Sequence, residues 1–473
     1  MQYHRNLYIN GIWQTSASTQ TIDVLNPANG ELCAQTASAN ETDVDAAISA
    51  AKNAFPAWSI TSAKQRSDFI IAIADEMQQR AAEFTDVITM TMGCPSSLSL
   101  DIQVQGAIDA FRAYADMTTY MDHTENSHGA LQLHAPVGVC VFINPWNYPL
   151  SQLIGKLGAA MATGCTVVAK PAEQTPLQDL ILADIFDKVG VPAGVFNVIT
   201  GFGATIGERL CSHPDVDMVS FTGSTAAGIK VAQAASTTVK RVCQELGGKS
   251  PFIITEDADL TAAVRYGVED VMINSGQTCC ALTRMLIPEN LYQQAIQIAK
   301  VAAEEIVVGD PLDPDVTMGP LSSRQQQQRV LTYIKLGIEE GAQLVTGGVT
   351  LPENLQQGAF VMPTIFAQVS NDMLIAREEV FGPVLCLIPY SDTQHAIQIA
   401  NDTVYGLSSG VFAKDQPSAI QIARQIRAGQ CYIQGSYFNS NAPFGGFKQS
   451  GNGREWGIPG LREFIEVQTM VLG

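Results

Sequence analysis

Two adjacent cysteines end a polar, glycine-containing approach in Asn274-Ser-Gly-Gln-Thr-Cys-Cys-Ala-Leu-Thr-Arg284, just ahead of the apolar run Met285, Leu286 and Ile287. A thiol does chemistry as its thiolate, which a nearby base, helix N-terminus or cation must favour. A Gly-Gln-Thr turn would lift one sulfur from the backbone toward a substrate. By itself, a cysteine pair is more readily explained as core filler. Two further stretches offer partners. Glu245-Leu-Gly-Gly-Lys-Ser-Pro251 places a carboxylate 34 residues before Cys279, and Asn144-Pro-Trp-Asn-Tyr-Pro-Leu150 carries the carboxamide of Asn147. Either Glu245 or Asn147 alone would be assigned to turn or capping duty.

Taken together, the three stretches resemble the aldehyde dehydrogenase superfamily, whose nucleophile motif has the form Gly-Gln-x-Cys and whose base motif is Glu-Leu-Gly-Gly-Lys. The resemblance runs from Asn26-Pro-Ala-Asn-Gly-Glu31 to Pro443-Phe-Gly-Gly-Phe-Lys448, essentially the whole chain. It implies an NAD(P)-dependent, hydrolysing enzyme. Cys279 would attack an aldehyde, and the alkoxide would be met by the Asn147 side-chain amide and the Cys279 backbone N–H. Hydride loss to the nicotinamide would leave a thioester, which water activated by Glu245 would hydrolyse. Two other readings stand beside this one: a CoA-acylating semialdehyde dehydrogenase, against which the water-activating Glu245 argues, and a catalytically silent structural protein of the same fold, which the intact trio disfavours.

The expected cofactor contacts are Ile143, Pro145, Trp146, Lys170, Glu173, Gly203, Phe221, Gly223, Ser224, Leu246, Glu379 and Phe381. In Phe221-Thr-Gly-Ser-Thr-Ala-Ala-Gly228 a strand turns into a helix, where free N–H groups and the helix dipole attract phosphate; plain N-capping by Ser224 or Thr225 explains it equally well. Gly201-Phe-Gly-Ala-Thr-Ile-Gly207 misses the dinucleotide fingerprint by one residue. Lys170 and Glu173 would bind the adenosine ribose hydroxyls, with a surface ion pair as the plain alternative. A carboxylate there repels a 2′-phosphate, so NAD is expected over NADP. By resemblance, Glu379 and Phe381 serve the nicotinamide side and Trp146 the pyrophosphate. The substrate pocket is expected at Tyr148, Gly155, Cys280, Phe438 and Phe444. Gly155 stands where some relatives carry a bulky aromatic, which suggests room for a larger or branched substrate.

Composition narrows the classes around that site. The 473 residues suggest two or three domains, and 46% hydrophobic with 15% charged is globular. A net charge of −19 argues against nucleic acid or an anionic membrane as partner. Ten scattered cysteines do not form a disulfide framework and point to reducing cytoplasm. Neither Cys-x-x-Cys nor His-Glu-x-x-His occurs, so no metal site is expected. Met1-Gln-Tyr-His-Arg-Asn-Leu-Tyr-Ile lacks a leader's apolar core, and no run reaches the roughly 18 apolar residues of a membrane span.

The elements that must hold the site alternate from Val139 onward as strand and helix, the pattern of a parallel sheet with crossovers. Strands are expected at 139–143, 166–169, 196–199 and 218–221, with helices at 151–163, 177–189, 206–211 and 226–235. The strands' carboxyl ends should then carry 144–147, 170–173, 201–203 and 222–228 on one rim. Before this lie helices over 43–58 and 66–92; after it comes a second βα region containing a short glutamine run, 325–328, read as helix surface. The expected architecture is α/β: a Rossmann-like cofactor domain (1–117 and 137–245), a second α/β catalytic domain (246–447), and a small β arm with the C-terminal tail (118–136 and 448–473). The resemblance gives that arm to oligomerisation, implying a homodimer or homotetramer.

Overall fold

A computed structural model describes residues 6–472; the reading of Met1 to Arg5 lies outside the described residues. Fully buried, β-branched-rich runs such as Val139–Ile143 and Thr166–Lys170 turn neither face to water and sit in the middle of a sheet covered on both sides. That sheet has eight strands in the order Gly451–Asn452, Arg241–Glu245, Met218–Thr222, Val139–Ile143, Thr166–Lys170, Phe196–Val198, Asn6–Ile9 and Ile12–Thr15. Its five central strands run parallel, and antiparallel strands close both edges. From Val139–Ile143 the chain adds strands first on one side and then on the other. The switch point between Val139–Ile143 and Met218–Thr222 therefore opens a crevice at their carboxyl ends.

A second sheet of seven strands runs in the order Gln343–Thr346, Thr364–Ala367, Val384–Tyr390, Arg284–Pro288, Pro251–Ile254, Gly410–Phe412 and Tyr432–Ile433. Pro251 pairs in register with Arg284, so both strands start at the same edge. The chain leaves the first sheet at Glu245 and enters the second at Pro251. This short passage sets the carboxyl edge of one sheet against the amino edge of the other. A third sheet joins Thr124–Ser127, Ala130–Pro136 and Ile465–Val471, with Ile465 opposite Pro136 and Val471 opposite Ala130.

Some expected elements take a different form. The helix read across 66–92 is two, Ala63–Gln79 and Ala81–Met92, broken at Arg80. The first has a capping box in which Ser62 and Gln65 satisfy each other's N–H groups. The helices read from 151 and 206 start earlier, at Pro149 and Gly203; proline fits the first turn because it lacks the N–H that goes unpaired there. The tail differs most. Gly451–Asn452 pairs with Gln244–Glu245 at the edge of the first sheet, and the chain joins the arm only from Ile465.

Candidate active site

The loop into Cys279 is wound the wrong way for ordinary residues. Asn274, Ser275 and Gly276 have φ of 54°, 57° and 72°, the left-handed region, at a cost of about 1–3 kcal/mol for each non-glycine residue. Side chains hold it there. Asn274 Nδ2 donates to the Asn147 carbonyl at 2.9 Å, and Ser275 Oγ donates to that of Gly319 at 2.8 Å. Gln277 Oε1 accepts the Ser322 N–H at 2.8 Å. Gly276 has no alternative residue: an added Cβ would lie 2.1 Å from the Gly382 carbonyl carbon.

Asn147 belongs to the same knot. Its Nδ2 donates to the Gln277 carbonyl at 2.8 Å, two residues before the sulfur, leaving a second N–H on that nitrogen. The Tyr148 hydroxyl meets Thr278 Oγ1 at 2.7 Å. Cys279, Asn147 and Glu245 line one cavity of about 250 Å³, at the crevice between the facing sheet edges.

Burial shapes the electrostatics. Glu245 is 5% exposed, and among the described residues neither carboxylate oxygen has a hydrogen-bond partner. Burial first, then the charge of Glu455, pushes its carboxyl well above the usual range, with Lys156 pulling the other way. Oε1 lies against Gly445, where a Cβ would come within 2.6 Å. The Cys279 thiol is also pushed up, first by its hydrogen bond with Cys280 and then by burial. Cys280 touches both Cys279 and Tyr432.

The expected cofactor residues fall into three groups. Pro145, Trp146, Gly223, Ser224, Leu246, Glu379 and Phe381 line the cavity. Lys170, Glu173 and Gly203 form a separate cluster on the rim: Glu173 Oε1 lies 3.2 Å from the buried Lys170 ammonium and accepts the Gly203 N–H at 2.6 Å. The ion pair weighed as an alternative is thus present, but its lysine is interior. Ile143 and Phe221 are paired across adjacent strands and pack with Leu246 as an apolar wall. The Ser224 hydroxyl caps the helix Thr225–Ala235, accepting from Ala227 N at 3.3 Å.

These residues suit a dinucleotide. Trp146 and Phe381 meet edge to face at 5.4 Å, and Glu379 accepts the Gly248 N–H at 3.1 Å. Glu379 fits only because position 247 is glycine, since a Cβ there would sit 2.1 Å from its Oε2. Burial raises the Glu379 carboxyl to about 7.

The family model described as "Aldehyde dehydrogenase family" matches residues 13–470. The chain belongs to the aldehyde dehydrogenase family. It is 44% identical over 472 residues to a 3-succinoylsemialdehyde-pyridine dehydrogenase from Pseudomonas sp., covering 100% of this chain and 99% of that one. It superposes with a TM-score of 0.97 on a mutant aldehyde dehydrogenase C from Pseudomonas syringae in complex with NAD+ and octanal, at 44% identity over 98% of this chain and 96% of that one. The Mycobacterium tuberculosis aldehyde dehydrogenase complexed with NAD+ gives a TM-score of 0.97 at 40% identity, covering 100% and 99% of the two chains.

Several contributors to this aldehyde dehydrogenase site were not read from the sequence. Lys156 is fully buried, 2.7 Å from Glu455 Oε1 and 2.8 Å from Thr222 Oγ1, and both charges act on Glu245. One signal was available, because Lys156 is the lone charge in the otherwise neutral helix Pro149–Thr163. The glutamine run is not only surface: Gln326 lines the cavity and donates to the Phe381 carbonyl at 2.8 Å, while buried Gln327 donates to that of Phe360 at 2.7 Å. The expected room beside Gly155 is also corrected. The Trp456 indole fills it, within 2.8 Å of where a Cβ would be. Phe438 and Phe444 do form an aromatic pair, at 5.7 Å.

Proposed function

We propose that this aldehyde dehydrogenase converts an aldehyde and water to the carboxylic acid with NAD as oxidant, through a thioester on Cys279. The observation that carries the reading is a buried Glu245 carboxylate, without a hydrogen-bond partner among the described residues, in the same cavity as Cys279 and Asn147. Cys279 gives its thiol proton to water as Sγ bonds the carbonyl carbon, and the free N–H of Asn147 and the Cys279 backbone N–H face the oxygen, which takes the charge as an alkoxide. When bound, NAD supplies the acceptor for the hydride whose departure makes the thioester. Glu245 then takes a proton from water, whose oxygen attacks the thioester; the C–S bond breaks, the sulfur regains a proton from Glu245, and the acid leaves. A raised carboxyl pKa suits this task, because a base works best when its pKa lies near the working pH.

The cofactor is NAD rather than NADP. The Glu173 carboxylate, fixed between Lys170 and the Gly203 N–H, puts negative charge where a 2′-phosphate would sit. The three-stranded sheet serves as the arm of a homodimer or homotetramer. Its edge strand Ile465–Val471 leaves main-chain groups unpaired and exposes Val467, Met470 and Val471. Ten free cysteines suit a cytoplasmic enzyme, and among the described residues no helix is long and apolar enough to cross a membrane.

The test is NADH formation across a panel of aldehydes, with the product identified. Free acid is expected, with NAD preferred to NADP. Release only as a thioester of added CoA, or no NADH from any aldehyde, overturns the reading.

A further inference from the structure

Tyr148, Gln152 and Gly155 follow one another along one face of the helix beginning at Pro149. Gln152 lines the cavity, and Gly155 is the next position along that face. No side chain leaves the helix there. The Trp456 indole takes the place, with Cζ2 and Cε2 at 2.8 and 2.9 Å from where a Gly155 Cβ would lie. Trp456 stacks on Tyr114 at 6.5 Å and meets Phe438 edge-on at 5.9 Å. Phe438 in turn meets Phe444 at 5.7 Å, and Phe444 lines the cavity beside Cys279. A continuous run of uncharged rings therefore leads from the sulfur's surroundings to Gly155, with Phe438 exposed at the outer side and Trp456 buried.

Trp456 does not sit there by default. Its backbone has φ 65° and ψ 154°, a conformation that L residues hold only when their neighbours over-determine it. Glu455 provides that restraint. Its backbone exchanges two hydrogen bonds with Phe444, at 2.7 and 2.8 Å, and its carboxylate pairs with Lys156 at 2.7 Å. Gly155 and Lys156 on the helix thus face Trp456 and Glu455 on the returning chain, residue for residue.

We propose that Trp456 is a specificity-determining residue: its indole over Gly155 closes the inner side of the acyl channel and fixes the Phe438–Phe444 wall, selecting aldehydes with flat or unbranched apolar tails over bulky branched ones. This rests on the reaction proposed above, with Cys279 as nucleophile. Flat rings make full contact with a linear or aromatic tail and leave a branched one no space, and apolar pockets discriminate such differences by roughly 10–200-fold.

The experiment compares kcat/KM for hexanal, benzaldehyde and pivalaldehyde in the wild type, Trp456→Ala, Trp456→Leu, Gly155→Leu and the double variant Gly155→Leu/Trp456→Ala. In Trp456→Ala the preference for hexanal over pivalaldehyde should fall by about 10-fold or more, chiefly through a higher KM for hexanal. The KM for NAD should not move. Gly155→Leu should damage all three substrates by displacing the indole, and removing the indole in the double variant should restore activity. If Trp456→Ala does not fold, the same ratio in Trp456→Leu decides. A uniform fall with an unchanged ratio overturns this proposal and leaves the reaction standing. A wild type that oxidises none of the three with NAD overturns both.

Discussion

Cys279 and Cys280 are neighbours in sequence and share a hydrogen bond, yet they face different surroundings. Cys279 lines the cavity with Asn147 and Glu245, whereas Cys280 is turned toward Tyr432 and feels the charge of Asp270. Cys279→Ala is therefore expected to abolish NADH formation, while Cys280→Ala only tunes it, as steady-state assays would show; equal loss in both contradicts the assignment. Glu173 makes a second residue-scale prediction. Glu173→Gln keeps a hydrogen-bonding group near Lys170 and Gly203 but removes the charge, so the ratio of kcat/KM for NAD over NADP should narrow by about 10-fold, on the order of one charge repulsion partly screened by water. A wild type that prefers NADP contradicts it. Cys279 and Glu245 could be read as candidates because each lies within three residues of a glycine, Gly276 and Gly247, whereas Asn147 has none near it and was read only together with them. Lys156 and Glu455 could not be read, because 299 residues separate them and only folding brings them together. Gly155 was misread for the same reason, since the residue filling its space comes from the far end of the sequence.

Strands buried on both faces and helices with clear apolar stripes were legible from pattern alone. The helix Leu177–Val189 stands where its periodicity put it, between a proline and a left-handed Gly190. The less regular elements depend on tertiary partners. Arg80 interrupts a helical stripe that continues on either side, and the strand Gly451–Asn452 exists only because Gln244 and Glu245 lie opposite it. The loop into Cys279 is the strongest case. Its left-handed turn is fixed by Asn147, Gly319 and Ser322, all distant in sequence. Gly276→Ala adds a Cβ into the Gly382 backbone at a positive φ. We expect a destabilisation of about 1–3 kcal/mol, read as a lower Tm, and a loss of activity larger than the fraction unfolded explains. Unchanged Tm and activity would show that the loop tolerates ordinary backbone geometry.

On the scale of the whole molecule, buried carboxyls tie stability to pH. Asp179 is fully buried, and burial raises its carboxyl to about 7, against the smaller opposing pulls of Gln178 and Lys170. The folded state keeps this proton up to about pH 7, whereas the unfolded chain loses it near pH 4. Between those values the unfolded state binds fewer protons, so stability falls as pH rises, by up to roughly 1.4 kcal/mol per pH unit from this group. Asp179→Asn cannot ionise. Its Tm should decline less than that of the wild type between pH 5 and pH 8, and parallel profiles would contradict the assignment. The facing of the two sheet edges brings Glu245 and Cys279 together, since Glu245 ends one sheet and the Cys279 loop leads into the other.

The central claim is that Glu245 serves the hydrolysis of a Cys279 thioester, and Glu245→Gln tests it most directly. The change leaves Asn147 and the thiol in place but removes the water's proton acceptor, which typically slows that step by about 10²–10⁴-fold. Rapid mixing of the variant with NAD and aldehyde should give a burst of NADH approaching one per active site, followed by almost no turnover. Mass spectrometry should find the acyl group on Cys279. A folded variant that binds NAD but shows neither burst nor adduct would contradict the account.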